Sequence, residues 1–290
     1  MELTVRPLSP HFGSEIMNAD LAAGGNNIVG AIRESWLKAG GLAVIRRQRL
    51  TSEQHIEFAN HFGPLFGAID EEPLQNSVSI YLHPKYPEIY RVSNQVDTRG
   101  NPRGRKGAGT YWHSDVSFRQ KPASASILSA KQIPSSGGDT IFCDQSRAFE
   151  HLSDTMKDLL MPLRAVHKFE VIARSQYSSG VLATKDLEGN TNSAVHPVVR
   201  THPLTGRKSL FVNPGFTSHI QGLYETESQA LLKFLFDHSL RPEFLYRHRW
   251  QDDDLVIWDN RCLMHYAVMD YPDSDPRYME RTTCIGERPE

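Results

Sequence analysis

Short segments rich in β-branched and aromatic residues, separated by turn residues, run through most of this sequence and constrain its fold more than any other feature. The predicted strands lie at 42–47, 78–83, 88–93, 124–133, 139–144, 209–213, 243–250, 254–259 and 281–286. Many short strands joined by turns that contain Gly and Pro predict two packed sheets, as in a jelly roll or a barrel. Strands and helices do not alternate regularly, which argues against a doubly wound parallel sheet.

Three segments have helical patterns and are expected outside the sheets. Residues 28–39 carry apolar side chains at helical spacing and end before a Gly-Gly pair. Thr51 and Gln54 have the spacing of a capping box, in which each side chain bonds to the other residue's backbone N–H. Thr226 and Gln229 repeat this spacing and predict the start of a third helix. The expected fold class is therefore mainly β with flanking helices.

Length, charge and cysteine content limit the class of protein. The chain has 290 residues, 39% of them hydrophobic, so residues 1–290 are expected to form one domain with an extensive core. A net charge of -2 gives no sign of a nucleic-acid partner or of a polybasic membrane contact. The three cysteines are far apart, which argues against disulfides and a thiolate zinc site. Without a signal-peptide pattern or a long apolar run, we expect a cytoplasmic protein with no membrane partner.

The segment TYWHSDVSF, residues 110–118, carries the pattern with the most chemistry. If it is a strand, His113 and Asp115 project to the same side, because side chains two residues apart share a face. An imidazole and a carboxylate on one face can fill two positions of a facial triad that binds Fe(II). His265, just after the strand at 254–259, can supply the third ligand. A surface His–Asp hydrogen bond explains the short pattern as well, since H-x-D is common by chance.

Two polar segments are predicted to form a loop and a turn. Residues 97–109 contain glycines and cationic side chains but no large apolar group, which predicts a mobile loop. Three consecutive aspartates, residues 252–254, are the kind of cluster that can bind a hard cation. A hairpin turn rich in Asp is the better interpretation.

Several longer motifs occur in a shared order over residues 40–288. They are WHSDVSF (112–118), PSSGGDT (134–140), HPVVRTHPLTGRKSLFVNPGF (196–216), FLYRHRW (244–250), WDNRCLMHYA (258–267) and RYMERTT (277–283). Together they resemble the taurine dioxygenase / 2,4-D dioxygenase family of Fe(II)- and 2-oxoglutarate-dependent oxygenases. The resemblance implies a double-stranded β-helix, a jelly roll of the cupin type, with the iron at one mouth.

The resemblance also implies a metal centre and a cosubstrate site. His113, Asp115 and His265 match the iron ligands, and 2-oxoglutarate and O2 are the implied cosubstrates. Thr140 and Arg277 match the residues that bind the distal carboxylate of 2-oxoglutarate. Arginine suits that role because its planar fork binds a carboxylate bidentately and stays charged.

A substrate site is implied beside the iron. Arg281 matches the arginine that binds the sulfonate or carboxylate of the substrate, so a small anion is expected. The other predicted substrate contacts are His83, Tyr86, Val116 and Phe216. The implied reaction is hydroxylation of a sulfonate or sulfate ester, such as taurine or an alkylsulfonate, with formation of succinate and CO2. An aryloxyalkanoate like 2,4-D, or another carboxylate, is the alternative substrate.

One position departs from the taurine enzymes. They carry an asparagine four residues before the first histidine ligand, where this chain has Gly109. A polar contact is lost and space is gained, which argues against taurine itself. A longer sulfonate, a sulfate ester or an aryloxyalkanoate becomes the better candidate.

Structural roles compete with several of these assignments. Trp258, expected in the wall near the iron and the cosubstrate, is equally explained as a core tryptophan. The alternative role of Arg277 is a surface ion pair, and the alternative for His83 is a histidine at a strand end that contacts no ligand. Asn260 and Arg261 receive no chemical role, since both can simply hold a turn. The competing function is a cupin-type metal-binding protein that does not use 2-oxoglutarate, and a homodimer or homotetramer is implied by the resemblance alone.

Overall fold

The computed structural model describes residues 3–23, 26–67, 79–169 and 193–290. Its strands are β1 (Thr4–Pro7), β2 (Ser14–Met17), β3 (Leu42–Ile45), β4 (Tyr90–Ser93), β5 (Ala123–Gln132), β6 (Thr140–Asp144), β7 (Arg164–Lys168), β8 (Ser193–Pro197), β9 (Val199–Thr201), β10 (Lys208–Leu210), β11 (Thr217–Ile220), β12 (Leu245–His248), β13 (Leu255–Asp259), β14 (Leu263–Ala267) and β15 (Tyr278–Ile285). Its α-helices are α1 (Asn26–Lys38), α2 (Ser52–Asn60), α3 (Gln145–Glu150), α4 (Asp154–Leu160) and α5 (Glu225–Ser239).

One large sheet has the strand order β1-β2-β3-β13-β5-β15-β4. Strands β2 and β3 run parallel, and the other neighbours are antiparallel. Both faces of its centre are covered, which is why β3 (LAVI) and β13 (LVIWD) are buried along their whole length. Two of the smaller sheets have the strand orders β11-β7-β8 and β10-β9.

A three-stranded sheet, β12-β6-β14, faces the large sheet across an apolar core. Leu42 and Val256 of the large sheet meet Phe142 and Leu263 of the small sheet in this core. His265 lies two residues after Leu263 on β14 and therefore points to the same inner side. Two facing sheets of this kind are the jelly-roll arrangement that the sequence predicts.

Helices cover the outer faces of both sheets. α1 and α2 pack on the large sheet through Ile32, Trp36 and Phe58. α5 packs over the three-stranded sheet β12-β6-β14 through Leu232 and Leu235. The predicted class, mainly β with flanking helices, is therefore confirmed.

Two local predictions are confirmed. Thr51 accepts the Gln54 backbone N–H at 3.2 Å, and the Gln54 side chain accepts the Thr51 backbone N–H at 2.9 Å, which completes the capping box. The Asp-rich segment forms a turn. The buried carboxylate of Asp254 accepts hydrogen bonds from Arg46 at 2.6 Å and His248 at 3.2 Å, so it is neutralised internally.

The capping box predicted at Thr226 and Gln229 is wrong. The helix begins at Glu225, and the Glu227 carboxylate accepts the backbone N–H of Tyr224 at 2.8 Å. Thr226 is thus already inside the first turn, where its hydroxyl cannot cap the helix start. Gln229 instead donates to Glu225 on the helix surface.

Several predicted strands have different bounds. Ser79–Tyr81 is a short 3-10 helix, while residue 78 lies outside the described residues. Pro242–Phe244 is also a 3-10 helix, since proline has no N–H for a strand ladder, and the strand starts at Leu245. The strand predicted at 209–213 ends at Leu210. The sequence pattern did not predict β1, β2, β7, β8, β9, β11, β14, α3 or α4.

No described helix is long and apolar enough to cross a membrane. The side chains of Cys143, Cys262 and Cys284 are buried and carry free thiols. Burial raises the pKa of the Cys143 and Cys262 thiols well above the usual value, so both are held in the protonated form.

Candidate active site

A pair of backbone hydrogen bonds joins the two segments that carry the predicted metal ligands. The N–H of His113 donates to the His265 carbonyl at 3.1 Å, and the N–H of His265 donates to the His113 carbonyl at 2.8 Å. The imidazole centroids are consequently 4.1 Å apart. The strand predicted for the H-x-D motif is wrong, because His113 forms this single bridge and the chain turns directly afterwards at residues 115–118. This turn brings Asp115 beside His113.

The three predicted ligand side chains converge. One ligand atom from each of His113, Asp115 and His265 lies within 4.8 Å of the other two. Nδ1 of His113 donates to the Tyr111 carbonyl at 2.8 Å, which leaves the Nε2 lone pair facing Oδ1 of Asp115 at 3.6 Å. Nδ1 of His265 is buried with no hydrogen-bond partner among the described residues. A buried polar atom without a partner is costly, and a bound ion beside it can offset that cost.

The protonation states suit a divalent cation. Burial holds the pKa of His265 well below its usual value, and the neighbouring His113 lowers it further. Burial raises the pKa of Asp115, but Arg281 and the two histidines outweigh burial and hold this pKa far below the usual range. A neutral imidazole and a charged carboxylate are the forms that bind metal. Two imidazoles and one carboxylate are the ligand set of a facial triad, so the residues present fit Fe(II).

A cavity of about 90 Å³ lies beside these side chains. Val116 and Phe216, both predicted to contact the substrate, are in its wall, and the Phe216 ring is 6.0 Å from the ring of His113. Val116 has a φ of +47°, which is unusual for a β-branched residue and follows from the tight turn after Asp115. The other aromatic lining residues are Tyr90, Tyr111, Phe118 and Phe169, and the cationic ones are Arg105, Arg119 and Arg281.

Gly109 has a structural reason to be glycine. Its φ is +77°, and a Cβ there would lie 3.0 Å from Cε1 of His113. Its carbonyl accepts the Ala267 N–H at 2.8 Å, which fixes the backbone next to the two histidines. The space expected from the missing side chain is therefore partly taken by the backbone, which approaches His113 closely.

Arg281 reaches the cavity from β15. Its Nη1 donates to Oδ1 of Asp115 at 2.7 Å, and its guanidinium lies 5.1 Å from the ring centroid of Tyr90. Its side chain is 17% exposed, so an anion in the cavity can reach it. Arg281 is thus placed to bind an anion next to the three convergent ligands.

Arg277 is buried just before β15, which argues against the surface ion pair. Its Nε has no hydrogen-bond partner in the described part of the chain, and Nη2 is 3.5 Å from the Gly138 carbonyl. Burial lowers the pKa of this guanidinium, and Tyr271 offsets part of the effect. A bound carboxylate would compensate the buried cation. Thr140 is also buried, and its hydroxyl accepts the Trp250 indole N–H at 3.1 Å, so its own proton remains available to donate.

Trp258 is a core tryptophan that also contacts a predicted metal ligand. It is 1% exposed and packs in the core between the sheets. Its ring centroid also lies 4.7 Å from that of His265. Trp258 therefore packs against the His265 ring from the side of the core.

His83 and Tyr86, the other two predicted substrate contacts, lie outside the described wall of the cavity. Their rings stack with centroids 5.0 Å apart, and the Tyr86 hydroxyl contacts Glu53 of α2. Nδ1 of His83 accepts the backbone N–H groups of Lys85 and Tyr86, which folds the histidine onto its own turn. Neither residue is in the described lining of the cavity beside His113. Their contact with a substrate stays a prediction.

Two residues without a predicted role contact Asp115. The backbone N–H of Asp115 donates to Oδ1 of Asn260 at 3.0 Å, and the Ser126 hydroxyl donates to Oδ2 of Asp115 at 2.7 Å. Asn260 belongs to the WDNR motif together with Trp258, and this motif was a sequence signal that could have indicated its role. Nothing in the sequence distinguishes Ser126 from the other serines of β5.

A second buried group of possible ligands is His202, Asp259 and Cys262, also within 4.8 Å of one another. The Asp259 carboxylate accepts from Nε and Nη2 of Arg261 at 2.8 and 2.7 Å and from Nε2 of His202 at 2.9 Å. Nδ1 of His202 accepts two backbone N–H groups of the following loop. The Arg261 backbone N–H gives the carboxylate a fourth hydrogen bond at 3.0 Å, so the carboxylate and both imidazole nitrogens are committed to partners within the protein and have no free lone pairs for a metal.

The chain is similar to known proteins over nearly its whole length. The family described as "Taurine catabolism dioxygenase TauD, TfdA family" matches residues 4–283. The chain is 36% identical over 298 residues to an alpha-ketoglutarate-dependent 2,4-dichlorophenoxyacetate dioxygenase of Cupriavidus pinatubonensis, with 99% of each chain covered. It is similar to a solved taurine dioxygenase from Burkholderia xenovorans, with TM-score 0.80, 32% identity and coverage of 99% of this chain and 90% of that one.

A further solved structure contains ligands. It is AAD-2 in complex with Mn(II) and N-oxalylglycine, with TM-score 0.78, 30% identity and coverage of 100% of this chain and 99% of that one. Family match, sequence identity and fold agree over nearly the whole chain. The protein therefore belongs to the TauD, TfdA family and is a 2-oxoglutarate-dependent dioxygenase with a jelly-roll fold.

Proposed function

We propose that the protein binds Fe(II) through His113, Asp115 and His265 and uses it, with 2-oxoglutarate and O2, to hydroxylate a small anionic substrate. The observation that carries the proposal is the convergence of three ligand atoms within 4.8 Å beside a cavity that also receives Arg281. Three protein ligands leave coordination positions open. When bound, Fe(II) and 2-oxoglutarate supply the oxidising chemistry, and 2-oxoglutarate is converted to succinate and CO2.

Arg277 and Thr140 bind the distal carboxylate of 2-oxoglutarate in this proposal. Arg277 offers a buried guanidinium with an unsatisfied Nε, and Thr140 offers a hydroxyl proton. Trp258 closes the core side of the site behind His265. The AAD-2 structure supports this use of the fold, because N-oxalylglycine carries two carboxylates, as 2-oxoglutarate does.

The proposed substrate is a sulfonate or a sulfate ester, such as taurine or an alkylsulfonate. Arg281 binds the anionic group, while Val116 and Phe216 contact the carbon chain. The similar solved structure from Burkholderia xenovorans is a taurine dioxygenase, which supports this class of anion.

An aryloxyalkanoate is the second candidate, and a specific observation favours it. Aromatic rings form much of the cavity wall, including Tyr111, Phe118 and Phe169, and they can pack against an aryl group. The 36% identical relative acts on 2,4-dichlorophenoxyacetate, as its name states. His83 and Tyr86 remain proposed substrate contacts in both cases.

The wider organisation is also part of the proposal. We propose that residues 1–290 form one catalytic domain, that the protein works in the cytoplasm, and that it is a homodimer or homotetramer. The family match over residues 4–283 supports one domain. The buried free thiols fit a reducing compartment.

A substrate panel tests the proposal. Taurine, an alkylsulfonate, an alkyl sulfate and 2,4-D are each incubated with Fe(II), 2-oxoglutarate and O2, and succinate, sulfite, sulfate and phenol are quantified. We expect succinate together with sulfite or sulfate, and phenol release from 2,4-D would instead support the second candidate. A protein that binds the metal but forms no succinate with any of these substrates would support the cupin-type alternative. Asp115→Ala is the control for adventitious iron chemistry.

A further inference from the structure

Asp115 is held by a hydrogen-bond network that reaches it from two strands of the large sheet. Ser126 lies on β5, and Asn260 follows β13, which pairs with β5. Both side chains are buried, with 0% and 1% exposure. We propose that Ser126 and Asn260 are positioning residues that determine which carboxylate oxygen of Asp115 faces the metal, an inference that rests on the proposed metal centre.

The Ser126 hydroxyl determines the orientation of the carboxylate. It accepts a hydrogen bond from Nδ2 of Asn260 at 3.0 Å, so its single proton is directed to Oδ2 of Asp115 at 2.7 Å. Oδ1 is the oxygen on the side of His113, 3.6 Å from Nε2. The network thus occupies Oδ2, while Oδ1, which accepts one hydrogen bond from Nη1 of Arg281 at 2.7 Å, keeps a second lone pair on the side of the other metal ligands.

Asn260 fixes both the backbone and the direction of this network. Its Oδ1 accepts the Asp115 N–H and the Trp258 indole N–H, each at 3.0 Å. A reversed amide would place NH2 against two donors, so only one amide orientation satisfies all three partners. Trp258 in turn packs against His265, with ring centroids 4.7 Å apart. Asn260 therefore holds Asp115 and supports the His265 side of the site together.

The same strand offers a matched control. Ser129 is also on β5 and also 0% exposed, but its Oγ has no hydrogen-bond partner among the described residues. Ser126→Ala and Ser129→Ala remove the same atom from equally buried positions. Only the first removes a hydrogen bond to a metal ligand.

Metal binding by the purified, metal-free protein tests the inference. Calorimetric titration with Mn(II) is expected to give a Kd about 10- to 100-fold higher for Ser126→Ala than for the parent, the usual effect of losing a partner of a metal ligand. Ser129→Ala is expected to retain the parent Kd. Asn260→Ala should raise the Kd at least as much as Ser126→Ala, because it also frees the Asp115 N–H. Equal Mn(II) affinity of Ser126→Ala and Ser129→Ala would overturn the inference.

A second measurement separates positioning from loss of folding. Thermal unfolding of the metal-free variants identifies the folded fraction, and the Co(II) absorption spectrum reports the ligand geometry. We expect Ser126→Ala to change the ligand-field bands, because Oδ2 becomes free to bind, while Ser129→Ala keeps the parent spectrum. An unchanged Co(II) spectrum in folded Ser126→Ala would contradict the inference. If the parent itself fails to bind Mn(II), or Asp115→Ala binds it as tightly as the parent, the proposed metal centre is wrong instead.

Discussion

Two buried groups in the described part of this protein contain a histidine and an aspartate within reach of a third ligand, yet they differ in their surroundings. In the first, His113, Asp115 and His265, one imidazole nitrogen has no described partner and a cavity of about 90 Å³ adjoins the ligands. In the second, Asp259 accepts two bonds from Arg261, and only about 10 Å³ of space is present. Residue types alone therefore do not make a metal centre, since unused lone pairs and open space are also needed.

The second group has a structural role instead. Arg261 and Asp259 lie at the turn between β13 and β14, and Nε2 of His202 joins this turn to the segment after β9. Arg261 also approaches Glu287 near the C-terminal end of the chain, at 3.9 Å. The turn that they stabilise leads into β14, which carries His265. The second group thus holds the strand that carries His265, and His265 belongs to the first group.

Asp115→Ala, a change in the first group, is predicted to have the largest effect on metal binding and activity. Loss of a direct ligand should lower Fe(II) affinity and succinate formation by more than the roughly 100-fold that loss of an outer partner costs. Metal content after reconstitution and succinate yield are measured together. A variant that keeps the metal content and activity of the parent would show that Asp115 is not a ligand.

Asp259→Asn is predicted to destabilise the fold without changing metal stoichiometry. It leaves Arg261 buried without its counter-charge, which costs about 3–5 kcal/mol. Urea unfolding of the metal-free protein measures this loss, and metal content is determined on the folded fraction. A stable variant that lacks metal would reverse the assignment of the two groups.

The stability of the same pair should depend on pH. Burial raises the pKa of Asp259, but Arg261 and His202 outweigh burial and hold the pKa below its usual value. Its contribution is therefore present above the unfolded pKa of about 4 and is lost as the pH falls toward the folded pKa. Asp259→Asn should show a smaller loss of unfolding free energy than the parent between pH 4 and pH 2. Parallel pH profiles of the two proteins would contradict the ion pair.

Arg277→Ala is predicted to impair the cosubstrate selectively. Removing one partner of a buried charged pair costs at least about 2 kcal/mol, equivalent to about a 30-fold higher KM for 2-oxoglutarate. Arg281→Ala is the matched comparison and should raise the KM of the anionic substrate instead. Steady-state succinate assays with each ligand varied in turn distinguish the two. Unchanged KM values in both variants would remove both arginines from the site.

The smallest predicted effect is that of Cys262→Ser. Because burial raises the pKa of this thiol, it offers no thiolate to a metal at neutral pH. Metal content and the KM for 2-oxoglutarate should equal those of the parent. A loss of bound metal would show that the second group binds an ion after all.

Local patterns made much of the fold predictable from the sequence. The apolar runs of β3 and β13 and the capping box at Thr51 are determined by neighbours in the sequence. The segments at Ser79–Tyr81 and Pro242–Phe244 have strand-like composition but form 3-10 helices, because their backbone hydrogen bonds close locally. Composition alone does not distinguish these outcomes.

The site was predictable where the motif and the resemblance specified residue types. The convergence of His113, Asp115 and His265 agrees with the sequence, although a turn rather than a strand aligns the first two. His83 is not in the described cavity wall, because its ring bonds to its own turn, and its contact with a substrate stays a prediction. Ser126 was unpredictable, because its bond to Asp115 depends on how distant segments pack.

An anaerobic titration with Fe(II) in the presence of 2-oxoglutarate examines the metal centre itself. The parent and Cys262→Ser should develop the weak visible absorption of an Fe(II)–2-oxoglutarate complex, saturating when iron and protein are equal in concentration. Asp115→Ala should remain colourless under the same conditions. Absence of the band in the parent, or the same band in Asp115→Ala, would contradict a metal centre formed by His113, Asp115 and His265.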